Sequence, residues 1–200
     1  MKAFITGLIL VLALQETHGQ TSISMFPKDG SWVKIHVVQT GQCLAVENAA
    51  SDNGARIVQV NYTDKPSQKF QVKKNDDGTF SFFAGHSGKT ICADKGDNRE
   101  GDLIVQNTLS AYFGKWFLTK LENCGLGWKI SYKNGSGKPL QVSSTAEGAD
   151  CRLIEPIYQD GQVDCPYNYV FEPIDPPAPV LLKEKSHLPV KPAVIRKNQQ

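Results

Sequence analysis

The chain has 200 residues, of which 22 are basic and 20 acidic, for a formal charge of +2, and 40% of its residues are hydrophobic. That length supplies enough apolar surface for one domain that folds alone. So small a net charge excludes the strong field on which nucleic-acid or anionic-membrane binding is built.

Residues 1–19 carry one basic residue, Lys2, then an apolar run over residues 3–14 and a polar end at Gly19. This reads as a secretory signal peptide. The run is too short to span a bilayer, and no later segment approaches about eighteen apolar residues, so no membrane span is expected. The expected location of the mature protein is secreted and extracellular. Residues 20–30 form a short polar leader, in which Pro27 and Asp29-Gly30 mark a turn.

From Ser31 onward the text changes to short apolar or alternating runs separated by turn residues, among them WVKIHVV, CLAV, RIVQV, TFSFF, TICA, LIVQ, WKISY and PLQV. No window holds the i, i+3, i+4, i+7 spacing of an amphipathic helix, so an all-β domain is expected. The runs also repeat. Trp32, Phe80 and Trp128 are spaced 48 and 48 apart, and Cys43, Cys92 and Leu140 follow them by 11, 12 and 12. Closing aromatics stand at Phe70, Trp116 and Phe171. Three repeats of about 48 residues with four strands each are too few for a propeller, whose blades usually number about four to eight. The pattern predicts a β-trefoil of twelve short strands with pseudo-threefold symmetry over residues 31–175.

Each unit runs through a Gly turn, an apolar pair, a residue at the strand end, a Gly-containing loop, an apolar strand and a closing aromatic. The second unit, residues 88–117, reads GKTICADKGDNREGDLIVQNTLSAYFGKWF, and the first closes on Gln68-Lys69-Phe70. This order resembles the ricin-type β-trefoil lectin family, with its Q-x-W or Q-x-F closings. The resemblance implies sugar pockets in which a strand-end Asp accepts from two hydroxyls and a ring covers the apolar face of the sugar. On that pattern unit one has Ala45 for the Asp and keeps Gln68. Unit two has Asp94, with Asn107 near the ring's place and Gly114 for the Gln, while Tyr112 or Phe113 could supply a ring. Unit three has Gln141 for the Asp and Tyr169 for the Gln, with Tyr158 as a ring. The candidate carbohydrate site is therefore Asp94, Asn107 and Tyr112, against the plainer reading of Asp94 as a cap on the turn before Gly96.

In an oxidising compartment five cysteines are read first as disulfide partners. Cys151 and Cys165 flank a turn-like QDGQ and are the candidate bridge, leaving Cys43, Cys92 and Cys124 with at least one odd thiol. Asn61-Tyr62-Thr63 and Asn134-Gly135-Ser136 are candidate N-glycosylation sites. The carboxylates Asp94, Asp97, Glu100 and Asp102 do not follow a calcium-loop pattern, and Lys95 and Arg99 interleave them, so no metal site is expected. His36 and His86 lie in separate repeats without a recognisable nucleophile, so no catalytic residue and no cofactor is assigned.

Residues 176–200 hold five prolines and five basic residues, a composition that favours extended chain over a packed core. The tail is a candidate tether to anionic extracellular matrix, or simply a solvated end. Two functions are compatible with the whole. One is a secreted, non-enzymatic carbohydrate-binding module with glycans or glycoproteins as partners. The other is a structural or interaction protein of an extracellular matrix or secretion whose sugar pockets have decayed.

Overall fold

The computed structural model describes residues 26–96, 99–108, 114–121, 127–133, 137–155, 158–159, 162–163 and 168–178. The expected signal peptide, Tyr112, Cys124, Asn134, Cys165 and most of the tail lie outside them.

The described residues form fourteen strands. Unit one holds β1 (Trp32–Val37), β2 (Cys43–Val46), β3 (Ile57–Val60) and β4 (Phe70–Lys74). Unit two holds β5 (Phe80–Ala84), β6 (Thr90–Ala93), β7 (Ile104–Asn107) and β8 (Trp116–Lys120). Unit three holds β9 (Trp128–Tyr132), β10 (Leu140–Val142), β11 (Cys151–Leu153), a small hairpin of β12 (Tyr158–Gln159) and β13 (Gln162–Val163), and finally β14 (Tyr169–Pro173). Setting that hairpin aside leaves the twelve strands of a β-trefoil.

Pairing closes six of them into a ring. β1 pairs with β4, β4 with β5, β5 with β8, β8 with β9, β9 with β14, and β14 with β1, all antiparallel. The hairpins β2–β3, β6–β7 and β10–β11 cap one end of this barrel. They are stitched to one another by the bridges Arg56↔Val105, Val58↔Asp150 and Leu103↔Arg152. The barrel strand β1 alternates half-buried and buried along WVKIHV, as one inward face requires. β2 and β6, the first strands of two of these hairpins, are buried along their whole length.

Register fixes which residues are equivalent. His36 faces Cys43, Phe83 faces Thr90, and Ser131 faces Pro139. The core is therefore built of triplets: Ile35, Phe82 and Ile130; Leu44, Ile91 and Leu140; Ile57, Ile104 and Cys151, each 2% exposed or less. Gly41, Gly88 and Gly137 stand at matching hairpin turns with φ of 68°, 67° and 71°, a left-handed conformation that a side chain disfavours.

Two expectations about the repeat shift. Phe70, Trp116 and Tyr169 pair with Ala84, Tyr132 and Val37 respectively. The third closing aromatic is thus Tyr169 rather than Phe171, which matches Val72 and stacks on Phe82 with ring centroids 5.6 Å apart. Trp116 Nε1 donates to the Ile91 carbonyl and the Tyr169 hydroxyl to the Leu140 carbonyl, both at 3.1 Å and at matching positions. Likewise Val33, one residue after Trp32, is the partner of Phe80 and Trp128 in the opening triplet. Each fully buried closing ring contributes about 1.5–3 kcal/mol of burial.

Candidate functional site

The units interlock through buried glutamines. Gln106 of unit two donates from Nε2 to the carbonyls of Ala50 (2.7 Å) and Asp52 (3.0 Å), and its Oε1 accepts from Ser87 Oγ (2.7 Å). Gln59 of unit one repeats this on unit three, donating to Ser144 O (2.9 Å) and Ala146 O (2.8 Å) and accepting from Thr40 Oγ1 (3.0 Å). In the third unit Leu153 holds the equivalent place opposite Leu140. There the neighbouring loop is held instead by Arg152 Nη1 and the Leu153 carbonyl, both on Gly101.

This interlock leaves an open pocket of about 470 Å³ on unit one, lined by Ala45, Asn48, Asn61, Lys65, Gln68 and Glu147 among others. Its volume falls within the roughly 300–1,000 Å³ common for small-molecule sites. One wall is the turn after β2, where Glu47 pairs with Arg56 through two bonds of 2.9 and 2.5 Å. The opposite wall is the segment 61–68. Gln68, 2% exposed, organises it: Oε1 accepts from Thr63 N (2.8 Å), Thr63 Oγ1 (3.1 Å) and Lys65 N (3.2 Å), while Nε2 donates to Asn61 O (2.7 Å). The third wall comes from unit three, whose Glu147 carboxylate accepts from Asn61 Nδ2 (2.9 Å) and Asn61 N (3.3 Å).

Behind the segment runs a chain of charges. Lys34 lies 4.3 Å from the Tyr62 ring centre and 2.9 Å from Glu172, the Tyr62 hydroxyl donates to Asp64 (2.7 Å), and Lys69 pairs with Asp64 (2.7 Å). The hydrogen bond from Lys69, then that from Tyr62, holds the Asp64 carboxyl below its ordinary value. Desolvation, reinforced by Asp64, pushes the Tyr62 phenol up. The backbone at the pocket is also strained. Asn48, Ala49 and Asp64 have φ of 52°, 51° and 60°, and no other described non-glycine residue has a positive φ. Asn48 and Ala49 line the pocket, and Asp64 sits between two residues that do. Such conformations cost about 1–3 kcal/mol each and cluster at binding sites.

Register corrects the expected site in unit two. Ala45 faces Val58, Cys92 faces Val105 and Gln141 faces Arg152. The counterpart of Ala45 is therefore Cys92, and Asp94 lies two residues further on, matching Glu47. The amides of Glu47, Asp94 and Ser143 donate to Arg56 O, Leu103 O and Asp150 O at 2.9, 2.9 and 2.8 Å, which fixes the equivalence. Asp94 is exposed on the hairpin turn, whereas Asn107 is opposite Thr90, four residues back along the strand. At about 3.3 Å per residue the two are roughly 13 Å apart, and the structure does not bring them together. Tyr112 is outside the described residues. Where unit one has Gln68, unit two has Gly114, and a Cβ there would lie 2.4 Å from Thr90 Oγ1. The side chain of Thr90 takes that space.

The remaining site residues are placed as follows. Cys151 is a free, fully buried thiol in the core triplet with Ile57 and Ile104; its expected partner Cys165 is not among the described residues. Cys43 and Cys92 are also free and buried, and desolvation raises their thiols to about 11 and about 12. Asn61 is exposed at the pocket rim. His36 meets Glu172 (3.1 Å) and His86 meets the Ala50 carbonyl (2.9 Å), so the two rings are apart and each is held by its own partner. Among the described residues no three His, Cys, Asp or Glu side chains converge as a metal site would require.

No repeat or motif marks the pocket residues Asn48, Lys65 and Glu147 in the sequence. The signal that finds the register is the turn glycine: Ala45, Cys92 and Gln141 each stand four residues after Gly41, Gly88 and Gly137, and Asp94 stands six after.

Comparisons with known proteins agree with this architecture. Residues 23–107 match the family described as ricin-type beta-trefoil lectin domain-like. A comparison with curated proteins finds no match. Among solved structures, the designed 3-fold symmetric protein ThreeFoil is 28% identical, with a TM-score of 0.60 over 71% of this chain and 99% of its own. A ricin B-like lectin of Macrolepiota procera, solved in complex with lactose, is 14% identical, with a TM-score of 0.60 over 74% of this chain and 99% of its own. An exo-beta-1,3-galactanase from Clostridium thermocellum is 22% identical, with a TM-score of 0.61 over 74% of this chain and 31% of its own. The chain is an all-β protein with the β-trefoil fold of ricin B-like lectins, and the resemblance read from its repeats is found.

Proposed function

We propose that this protein is a secreted, non-enzymatic carbohydrate-binding module whose ligand site is the unit-one pocket. The observation that carries this reading is the coincidence of an open pocket of mixed polar and apolar lining with the three strained residues Asn48, Ala49 and Asp64. Chemically the pocket suits a polyol. Asn48 offers both a donor and an acceptor, Glu147 offers acceptors to vicinal hydroxyls, and the Lys65 ammonium donates. The lining contains no aromatic ring, so affinity rests on hydrogen bonds exchanged against water, and binding of a single sugar is expected in the millimolar range, about −4 kcal/mol. The lactose-bound relative supports the ligand class.

A glycan array with the full-length protein made in a host that adds no N-linked glycan tests this, alongside Lys65→Ala, Asn48→Gly and Asp94→Ala. Glycine accepts the left-handed backbone of Asn48, so that variant removes the amide without adding strain. Binding should be lost in the first two variants and kept in Asp94→Ala. Absence of binding by the wild type, or unchanged binding by both pocket variants, overturns the site. The filled position at Gly114 favours the second function, a structural or interaction protein with decayed pockets, and a blank array would leave that one standing.

A further inference from the structure

Asn61 has two roles in one place. It opens the sequon Asn61-Tyr62-Thr63, and its side chain forms part of the wall of the unit-one pocket. It is exposed, and its Nδ2 donates to Oε2 of Glu147 on the third wall at 2.9 Å. Its backbone is fixed on both sides, by Glu147 on the amide and Gln68 on the carbonyl. A group built outward from Nδ2, in place of the proton not donated to Glu147, therefore starts at the edge of the pocket.

We propose that Asn61 carries an N-linked glycan whose first sugars cover this pocket and keep external ligand out of it. The proposal rests on the secreted, sugar-binding reading above. In the transfer, Asn61 Nδ2 forms a bond to C1 of an oligosaccharide carried on a lipid pyrophosphate. The C1–O bond breaks, the lipid pyrophosphate leaves with the electron pair, and Nδ2 gives up one of its two protons. The remaining N–H can keep the bond to Glu147, so the modified amide fits the folded geometry. The hydroxyls of the first sugar then meet the acceptors and donors that an outside polyol would use. The glycan is both a bulky surface group and an internal competitor at high effective concentration, and trimming it uncovers the site.

The test uses full-length protein secreted from a eukaryotic host. Peptide mapping after peptide N-glycosidase treatment should find Asn61 converted to aspartate. Pocket access is then read without any ligand, by the alkylation rate of a Lys65→Cys variant resolved at peptide level. The glycosylated form should react about tenfold more slowly than the same protein trimmed by peptide N-glycosidase, which also removes the first sugar, because the bulky group lies over the mouth. Asn134→Gln should leave this protection intact. An unmodified Asn61, or equal alkylation before and after trimming, overturns the proposal. Glycan-array binding by the trimmed form is scored separately: protection of Lys65→Cys with a blank array would refute the sugar-binding function while leaving the covered pocket in place.

Discussion

Replacement of Gln68 by Met tests whether one buried amide builds the pocket. The substitution conserves volume, so packing is retained and the change isolates hydrogen bonding. Five bonds are lost: those from Thr63 N, Thr63 Oγ1 and Lys65 N to Oε1, at 2.8, 3.1 and 3.2 Å, and those from Nε2 to Asn61 O at 2.7 Å and to Cys43 Sγ at 3.7 Å. Each is worth about 0.5–1.5 kcal/mol net. Asn61, Thr63 and Lys65 are exposed, so water recovers part of the loss, and a total of about 2–4 kcal/mol is expected. For a domain of this size that lowers Tm by about 5–15 °C. Urea titration measures the free energy, and amide exchange at Thr63 and Lys65 reports the segment directly, rising more than exchange in the barrel strands. Gln68→Glu should fall between, because a carboxylate can still accept from both amides but cannot donate to Asn61 O. A change in stability of less than about 0.5 kcal/mol in Gln68→Met, with both amides still protected, would show that this side chain does not build the pocket wall.

Gly114→Ala should destabilise the fold by about 1–3 kcal/mol, the cost of overpacking a tight site, since the new methyl meets Thr90 Oγ1 at 2.4 Å and Ile91 O at 3.2 Å; a thermal melt at or above that of the wild type would contradict the filled position at Gly114. The Asp77 carboxyl is held well below its ordinary value first by Lys115, then by Lys133 and Thr79. Its folded pKa is below the unfolded one, so the stabilisation is present above about pH 4 and is lost as the pH falls. The stability gap between wild type and Asp77→Asn should therefore close on acidification, and a gap that widens below pH 4 would show that the lysines are not its cause. Burial raises the thiols of Cys43, Cys92 and Cys151, so all three should resist alkylation at pH 8 in the native protein and react in denaturant. Rapid native labelling of any of them, located by peptide mapping, would contradict the core placement.

The repeat is legible in the chain because each unit must solve the same packing problem. Phe70 and Trp116 recur because a closing ring fills the barrel, and Gly41, Gly88 and Gly137 recur because the hairpin needs a left-handed residue. Counting aromatics was enough for the trefoil and for its twelve strands, but it missed by two residues in unit three. Val72, Leu118 and Phe171 form one further layer, and an extra hairpin before Tyr169 alters the spacing. The site was less legible for the same kind of reason. Asp94 drew attention as the acid nearest a strand end, yet the side chain's place is set by hairpin pairing, and a shift of two moves it along the strand out to the turn. The pocket itself is assembled from Asn48, Asn61, Lys65 and Glu147, the last 86 positions from Asn61 and in another unit.

By itself, then, the sequence determined the strand content, the threefold repeat and the family resemblance, since these follow from local periodicity, turn residues and burial that every unit repeats. That unit one holds an open pocket was decided only by the tertiary structure. Gln68 lies beside Cys43, its Nε2 3.7 Å from the sulfur, and organises its segment from there, whereas Thr90 takes the matching space at Gly114. The difference lies in contacts between residues that are far apart in the chain.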